Sequence, residues 1–268
     1  MQAEGYIELN EGKLHYLRIG NGKKIIVAFP GYGNEAVIFA AFEKFLPEYT
    51  IISINLPYHG KSDWPLNSPL QKRSLTELIN KLMIETGVDK VILAGYSIGA
   101  RLCLCIIEQM PESISDVLLI APDGLVPNRF YHFVTMNAFG KWLFKDFLTQ
   151  PKKYMPLVTG MRSAGIVNEG RYRFATHYID SDASRGFLLK VWPNLRFIVP
   201  DRNKLKEAIN KYKIPVHIFI GNRDKVILAK YGERFKKEMS TVKLYIVDRG
   251  HWLLDDETLS AMAKHLST

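Results

Sequence analysis

The chain has 268 residues, which is long for one simple domain and short for two independent domains. Apolar residues make up 47% of it and charged residues 24%, an ordinary globular composition that excludes a disordered or fibrous protein. The chain lacks both a run of about 18 uncharged apolar residues and the basic start and apolar core of a signal peptide. We therefore expect a cytoplasmic protein that has no membrane partner.

The excess positive charge is concentrated in the middle of the chain. Residues 123–213 contain sixteen Lys or Arg and seven Asp or Glu, a balance that equals the net charge of +9 of the whole chain. Three interpretations stay open: attraction of an anionic substrate, contact with nucleic acid or membrane, and an ordinary soluble surface. Because no recognised nucleic-acid-binding module occurs, we expect a small-molecule substrate and no nucleic acid partner.

The two cysteines, Cys103 and Cys105, are separated by one residue. In a helix they would point to different faces, so neither a mutual disulfide nor a metal pair is expected. We interpret them as small buried side chains in a reducing compartment.

The chain begins with a predicted hairpin and continues with a series of short apolar runs. Residues 6–19 alternate between apolar and polar around a turn at 10–12, which predicts two antiparallel strands. Short apolar runs bounded by turn residues are typical of strands that are buried on both faces of a parallel sheet. Such runs occur at residues 24–29, 50–54, 90–94, 116–120, 216–220 and 242–247.

Amphipathic stretches with helical spacing separate these predicted strands. They cover residues 39–46, 74–85, 98–109, 231–238 and 258–266. Strands that alternate with helices predict an α/β fold with a mostly parallel central sheet flanked by helices.

One interval breaks this alternation. About 90 residues without a convincing strand pair separate the predicted strands at 116–120 and 216–220, and they are rich in aromatic and basic residues. Helical periodicity and several proline and glycine breaks favour a set of short helices. We predict a core formed by residues 1–122 and 214–268, with an inserted helical cap at 123–213.

The segment Gly95-Tyr-Ser97-Ile-Gly99 contains the candidate nucleophile, Ser97. A predicted buried strand runs into this segment, and an apolar helix follows at once. Glycines on both sides of the serine relieve crowding in such a tight turn, and the helix N-terminus turns unpaired N–H groups toward the hydroxyl. The alternative interpretation is a plain tight turn in which the serine caps the helix.

A serine hydroxyl needs a base, and the base needs an acid to orient it. His251 follows the last predicted strand, and Asp224 follows the strand before it. Because catalytic groups of open α/β sheets gather at the carboxyl ends of strands, we expect these two residues and Ser97 to meet there. Asp123, which follows the predicted strand at 116–120, is the alternative acid.

The remaining histidines and acids fit this chemistry less well. His59 lies in a turn, where we interpret it as a structural residue, and Asp255 and Asp256 are interpreted as residues of a helix start. The other histidines lie within predicted elements or the predicted cap: His15, His132, His177, His217 and His265.

The developing oxyanion of an acyl-transfer reaction needs two N–H donors that point at one position. The amide of Ile98, directly after the candidate nucleophile, is the first candidate donor. The second is the amide of Tyr32 in the turn at residues 30–33. There Gly31 is small enough for the backbone to approach the substrate, and an ordinary glycine-rich turn is the alternative.

The chain resembles the α/β-hydrolase superfamily over essentially its whole length. The matching segments occur in the expected order: Gly31-Tyr-Gly33, Leu56–Ser62, the elbow around Ser97, Phe219–Asp224, and Gly250-His251. The resemblance implies acyl-transfer or related chemistry on a carbonyl, with the order Ser97, Asp224, His251 along the chain. The chain departs from the family at Pro30, where relatives commonly carry histidine.

The elbow also resembles that of the menaquinone-pathway synthase that makes succinyl-hydroxy-cyclohexadiene-carboxylate. That likeness depends on Tyr96 and Arg101, which flank the serine as in the synthase elbow. It implies that both residues contact an anionic substrate. It also implies a C–C eliminating reaction that uses the same triad. An arginine one turn into the helix can also simply pair with an acid, and both interpretations stay open.

We therefore expect a serine hydrolase that cleaves an ester or thioester of a small substrate through an acyl-enzyme. A synthase-like lyase and a non-catalytic receptor for a small ligand are the alternatives. No metal or organic cofactor is expected, because the chain shows neither a metal-ligand cluster nor a phosphate-binding Gly-Lys-Ser/Thr loop.

Overall fold

A computed structural model describes residues 2–166, 172, 176 and 181–266. The chain divides into two compact units, each with most of its contacts inside the unit. The first consists of Met1–Val126 and Phe197–Thr268, and the second is Pro127–Arg196.

The first unit is built on an eight-stranded sheet with the order β1-β2-β4-β3-β5-β6-β7-β8. β2 pairs antiparallel with β1 and β4, and every other neighbouring pair is parallel. The strands are β1 Gln2–Leu9, β2 Gly12–Ile19, β3 Lys24–Phe29, β4 Tyr49–Ile54, β5 Val91–Tyr96, β6 Ile114–Ile120, β7 Val216–Gly221 and β8 Val242–Val247.

Burial explains why the central strands are continuous apolar runs. Every residue of β4, β5 and β7 is buried, because helices cover both faces of a parallel sheet. β8 is one of the two edge strands, and only its first residue is buried. The predicted hairpin and the mostly parallel sheet flanked by helices are thus confirmed.

Helices connect the strands of the first unit. α1 (Lys72–Thr86) ends at Gly87, whose φ of 70° allows its N–H to donate to the Met83 carbonyl. α2 (Ile98–Gln109) is buried over its first ten residues. Further helices of this unit are Arg202–Tyr212, Ala229–Lys236 and Asp256–Leu266, with 3₁₀-helices at Ala36–Phe42 and Pro111–Ser113.

The second unit is helical in the part that the structure describes. Its helices are α3 (Arg129–Met136), α4 (Ala138–Thr149), α5 (Pro151–Ser163) and the helix Asp182–Asn194. Asparagine side chains cap the starts of α3 and α4. Trp192 links the helix Asp182–Asn194 to α4 and α3. Its ring stacks on Phe144 of α4 with the ring centres 5.3 Å apart, and its carbonyl accepts the Tyr131 hydroxyl of α3 at 2.9 Å.

Two boundaries differ from those expected from the sequence. The stretch predicted as a helix at 39–46 is a 3₁₀-helix at Ala36–Phe42, which is followed by turns. The helix Arg202–Tyr212 lies in the predicted insertion but belongs to the first unit, where Leu205 and Ile209 are buried. Within the described residues, no helix is long and apolar enough to cross a membrane.

Candidate active site

Ser97 occupies the single residue between β5 and α2. Its φ of 52° and ψ of −117° lie in a region that residues with a side chain rarely adopt. Backbone hydrogen bonds hold it there: its N–H donates to the Ile120 carbonyl at 2.9 Å, and its carbonyl accepts from the amides of Ala100 and Asp123. Strain of this kind persists only where the surrounding structure enforces it, and it is commonly found at functional sites.

The glycines on either side of Ser97 are required by the close packing of this turn. A Cβ atom on Gly95 would lie 2.5 Å from Ala100 Cα, and one on Gly99 would lie 2.0 Å from the Phe29 carbonyl oxygen. The second contact shows that the start of α2 packs directly against the end of β3. The turn that follows β3 is therefore brought next to Ser97.

His251 connects the Ser97 hydroxyl to a buried carboxylate. Its Nε2 lies 3.0 Å from Ser97 Oγ, and its Nδ1 lies 2.7 Å from Asp224 Oδ2. An Nδ1–H that donates to the carboxylate leaves the Nε2 lone pair free to accept the serine hydroxyl. The structure therefore brings together the three residues that the sequence singles out for a triad.

Asp224 is held in a fixed orientation by the turn after β7. Its second carboxylate oxygen, Oδ1, accepts the amides of Val226 and Ile227 at 2.7 and 2.9 Å. A Cβ atom on Gly221 would lie 2.3 Å from the carbonyl oxygens of both Arg249 and Gly250, so the loops that carry the acid and the histidine are tightly packed.

The Ser97 hydroxyl lies within hydrogen-bond distance of His251 and makes no capping hydrogen bond at the start of α2, and its role as nucleophile stays a prediction. Asp123, the alternative acid, pairs instead with Arg101 and accepts the Gly124 amide. Asp255 accepts the Thr258 amide at the start of the helix Asp256–Leu266, as expected for a residue of a helix start.

Arg101 lies one turn into α2 and is only 5% exposed. Of the two interpretations of this residue, pairing with an acid is the one observed, and a contact with substrate stays a prediction. Tyr96 is also buried. Its hydroxyl donates to the His251 carbonyl at 3.3 Å, and its ring lies edge-on to Trp252.

The turn at residues 30–33 lies beside the elbow. A Cβ atom on Gly31 would lie 2.8 Å from the ring of Tyr96, so glycine at this position allows the turn to approach β5 closely. Ile98 is the first residue of α2, and its amide has no partner carbonyl within that helix. The roles of the Tyr32 and Ile98 amides as oxyanion donors stay predictions.

Two buried side chains from the loop after β4 contact the segment that follows β3. His59 Nε2 accepts the Gly33 amide at 3.0 Å, and Asn55 Oδ1 accepts the Ala36 amide at 2.6 Å. Burial lowers the pKa of His59 to about 4, so its imidazole is neutral at pH 7. The sequence carried one signal for Asn55: a polar residue that directly follows a buried strand.

The remaining histidines lie where the sequence indicated. His15 is in β2, His217 in β7 and His265 in the C-terminal helix, while His132 is in α3. His177 lies outside the described residues. Among the residues that the structure does describe, there is no group of three His, Cys, Asp or Glu that could hold a metal ion.

Comparison with known proteins places the chain in a family. Residues 24–258 match the family model described as alpha/beta hydrolase fold. The chain belongs to the α/β-hydrolase family. The strand–turn–helix elbow at Ser97 is typical of this family.

Relatives of this α/β-hydrolase include an uncharacterized hydrolase of Bacillus subtilis, which is 20% identical over 92% of this chain and 89% of the relative. A putative 2-succinyl-6-hydroxy-2,4-cyclohexadiene-1-carboxylate synthase of the same organism is 29% identical, over 37% of this chain and 38% of the relative. Among solved structures, naproxen esterase of Bacillus subtilis superimposes with a TM-score of 0.68 at 13% identity, over all of this chain and 92% of the esterase. At that identity the likeness shows the fold alone.

Proposed function

We propose that this α/β-hydrolase is a serine hydrolase that cleaves an ester or thioester through an acyl-enzyme. The observation that carries the proposal is the unbroken chain of hydrogen bonds from Ser97 Oγ through the His251 imidazole to Asp224. The strained backbone of Ser97 supports it, because such an elbow turns the hydroxyl outward at the carboxyl end of β5.

In the proposed mechanism, His251 Nε2 takes the hydroxyl proton as Ser97 Oγ attacks the carbonyl carbon. Asp224 holds the imidazole in the tautomer with Nδ1 protonated and stabilises the imidazolium that forms. Collapse of the tetrahedral intermediate breaks the bond to the leaving group, which receives the proton from His251. Water that His251 deprotonates then attacks the acyl-enzyme and releases the acid and free Ser97.

The negative charge that develops on the carbonyl oxygen needs donors in fixed positions. We assign this role to the amides of Ile98 and Tyr32. The close contact between Gly99 and the end of β3 supports the assignment, since it sets the turn that contains Tyr32 beside the start of α2.

A lyase of the synthase type, which would use the same three residues, is the second candidate. The similarity of 37% of the chain to a putative synthase favours it, whereas the ion pair of Arg101 with Asp123 engages the arginine that would bind an anionic substrate. Turnover in ¹⁸O-labelled water separates the candidates. A hydrolase places one labelled oxygen in the product acid, and an elimination places none.

Turnover of a panel of acyl esters of graded length and charge tests the proposal. We expect Ser97→Ala to lower kcat by about 10⁴- to 10⁶-fold on every ester that the wild type cleaves, with an unchanged fold. Ser115→Ala, which removes another hydroxyl of the same unit at the start of β6, is the matched control and should keep the wild-type rate. Full turnover by Ser97→Ala would contradict the mechanism, and failure of the wild type to cleave any ester or thioester would favour a lyase or a receptor.

A further inference from the structure

Two side chains of the loop after β4, residues 55–62, accept hydrogen bonds from backbone amides of the segment after β3. His59 accepts the N–H of Gly33 at 3.0 Å, and Asn55 accepts the N–H of Ala36 at 2.6 Å. Both side chains are almost fully buried, with exposed fractions of 3% and 1%. Tyr32, whose amide is the candidate oxyanion donor, directly precedes the first of these two fixed positions.

Each acceptor atom is itself oriented by a second hydrogen bond. His59 Nδ1 donates to the Pro57 carbonyl at 2.9 Å, so Nε2 carries the lone pair that the Gly33 amide requires. Asn55 Nδ2 donates to His15 Nδ1 at 2.7 Å, which turns its amide oxygen toward Ala36. The two side chains are therefore locked acceptors in a buried network, where an unsatisfied polar group is costly.

The residues on both sides of His59 have positive φ angles. Tyr58 has a φ of 67°, and Gly60 a φ of 52°. A Cβ atom on Gly60 would lie 2.4 Å from Asn55 Nδ2, so the loop packs tightly on the asparagine. A tyrosine held at positive φ is unfavourable by itself, and its hydroxyl donates to the Pro65 carbonyl at 2.9 Å.

We propose that His59 and Asn55 are positioning residues that hold the Tyr32 amide in the orientation needed to stabilise the oxyanion. Donors that are fixed before the reaction stabilise developing charge without reorganisation, and a shift of about 1 Å in a catalytic group can cost about 100-fold in rate. The role rests on the proposed function, because it acts through the oxyanion of the Ser97 reaction. Neither side chain is assigned a contact with the substrate.

A positioning role and a merely structural role are distinguished by the quantity that a substitution changes. A positioning role affects kcat, whereas a structural role affects stability. Loss of the His59 acceptor should lower kcat and the rate of phosphonylation by a fluorophosphonate, because both reactions build charge on the oxygen that Tyr32 would bind. KM should change little, since ground-state contacts remain. A merely structural loss would lower the thermal unfolding temperature without this selective effect.

The experiment compares His59→Phe, which keeps a ring but removes the acceptor, with His59→Gln, whose side-chain oxygen can replace Nε2. We expect His59→Phe to lower kcat by about 10- to 100-fold with KM within about twofold, and His59→Gln to restore most of the rate. Asn55→Ala should act in the same direction. The matched control is Ser115→Ala, which removes the hydrogen bond of that hydroxyl to the Val91 carbonyl at the start of β5, outside the network of His59 and Asn55. It should lower stability and leave kcat unchanged.

The intact protein offers a test that does not depend on the folding of a variant. Nitrogen-15 NMR of His59 should show protonated Nδ1 and unprotonated Nε2 at neutral pH, and the Gly33 amide should be protected from hydrogen exchange. Protonated Nε2 would overturn the inference, as would a folded His59→Phe that hydrolyses esters and reacts with the probe at the wild-type rate. Absence of Ser97 labelling in the wild type would instead overturn the proposed function, so the two failures are distinguishable.

Discussion

At the scale of single residues, hydrogen bonds fix the protonation pattern of the candidate triad. Asp224 receives two backbone amides on one oxygen and His251 Nδ1 on the other, so the carboxylate cannot rotate without losing buried bonds. That arrangement selects the imidazole tautomer in which Nδ1 carries the proton and the unprotonated Nε2 faces Ser97. Asp123 lies at the end of a neighbouring strand but is engaged with Arg101.

The two acids should therefore differ sharply when each is replaced by its amide. We expect Asp224→Asn to lower kcat by about 10⁴-fold, because an amide at this position favours the wrong imidazole tautomer. Asp123→Asn should cost stability through the loss of its pair with Arg101 but change kcat far less. Measurement of kcat and of urea unfolding for both variants checks this, and a larger loss of kcat in Asp123→Asn would assign the acid role to Asp123.

His59 also predicts a dependence of stability on pH. Burial lowers its pKa from 6.5 to about 4 in the folded protein, so the unfolded chain binds a proton more readily over that range. Its contribution to the free energy of unfolding is complete above pH 6.5 and is lost as the pH falls toward 4. Between pH 7 and about pH 4.5 the loss amounts to about 2 to 3 kcal/mol.

Urea unfolding of the wild type and of His59→Gln at these two pH values measures this contribution. The variant should lose about 2 to 3 kcal/mol less on acidification, since it has no imidazole to protonate at this position. Equal pH dependence of the two proteins would show that His59 titrates normally in the fold.

At the scale of elements, the site is formed where four connections meet at the carboxyl ends of parallel strands. The turns after β3, β5, β7 and β8 contain Tyr32, Ser97, Asp224 and His251. Glycines allow these turns to pack closely, most clearly where Gly99 meets the end of β3. The fold therefore depends on small residues at the same places where the candidate chemistry is located.

Two glycine-to-alanine substitutions should have opposite effects on stability. Gly99→Ala places a methyl group 2.0 Å from the Phe29 carbonyl oxygen, so we expect a loss of more than about 2 kcal/mol and a displaced turn. Gly186→Ala is the matched control in the helix Asp182–Asn194, where, apart from the nearby backbone of the helix itself, no atom of the described residues lies within 4 Å of the added methyl group. It should stabilise the protein by about 0.5 to 1 kcal/mol, because alanine favours a helix over glycine. Urea unfolding measures both, and equal effects would contradict the packing described.

The sequence predicted the strands and helices whose apolar pattern reflects burial. It did not predict hydrogen bonds between residues that are distant in the chain. β3 begins and ends where its apolar run does, since burial imposes the pattern. The 3₁₀-helix at Ala36–Phe42 was expected as a helix at 39–46, because apolar spacing does not distinguish the two helix types. The bond from Asn55 to Ala36 spans 19 residues, and no local pattern indicates such a contact.

At the scale of the whole molecule, the charge is distributed unevenly between the two units. The second unit, Pro127–Arg196, contains eleven Lys or Arg and four Asp or Glu, which leaves it with a net charge of +7 out of +9. A positive potential of this kind attracts anions over distances of about 10 Å at moderate ionic strength. The interpretation that this charge selects an anionic substrate stays a prediction.

A pair of matched esters tests that interpretation. If the charge attracts substrate, kcat/KM for an anionic half-ester should fall as salt rises from about 20 mM to about 300 mM, while kcat/KM for a neutral ester of equal length stays nearly constant. Stopped assays on p-nitrophenyl hemisuccinate and p-nitrophenyl valerate provide the comparison. Parallel responses of the two esters would assign the basic residues to an ordinary soluble surface.

The central claim is that Ser97 is a nucleophile activated by His251 and Asp224. Reaction of the intact protein with a fluorophosphonate probe, followed by mass spectrometry of its peptides, tests this claim most directly. The account predicts one adduct per chain, on the peptide that contains Ser97, formed far more slowly in His251→Ala and absent from Ser97→Ala. Labelling at another residue, or a wild type that stays unlabelled while folded, would contradict it.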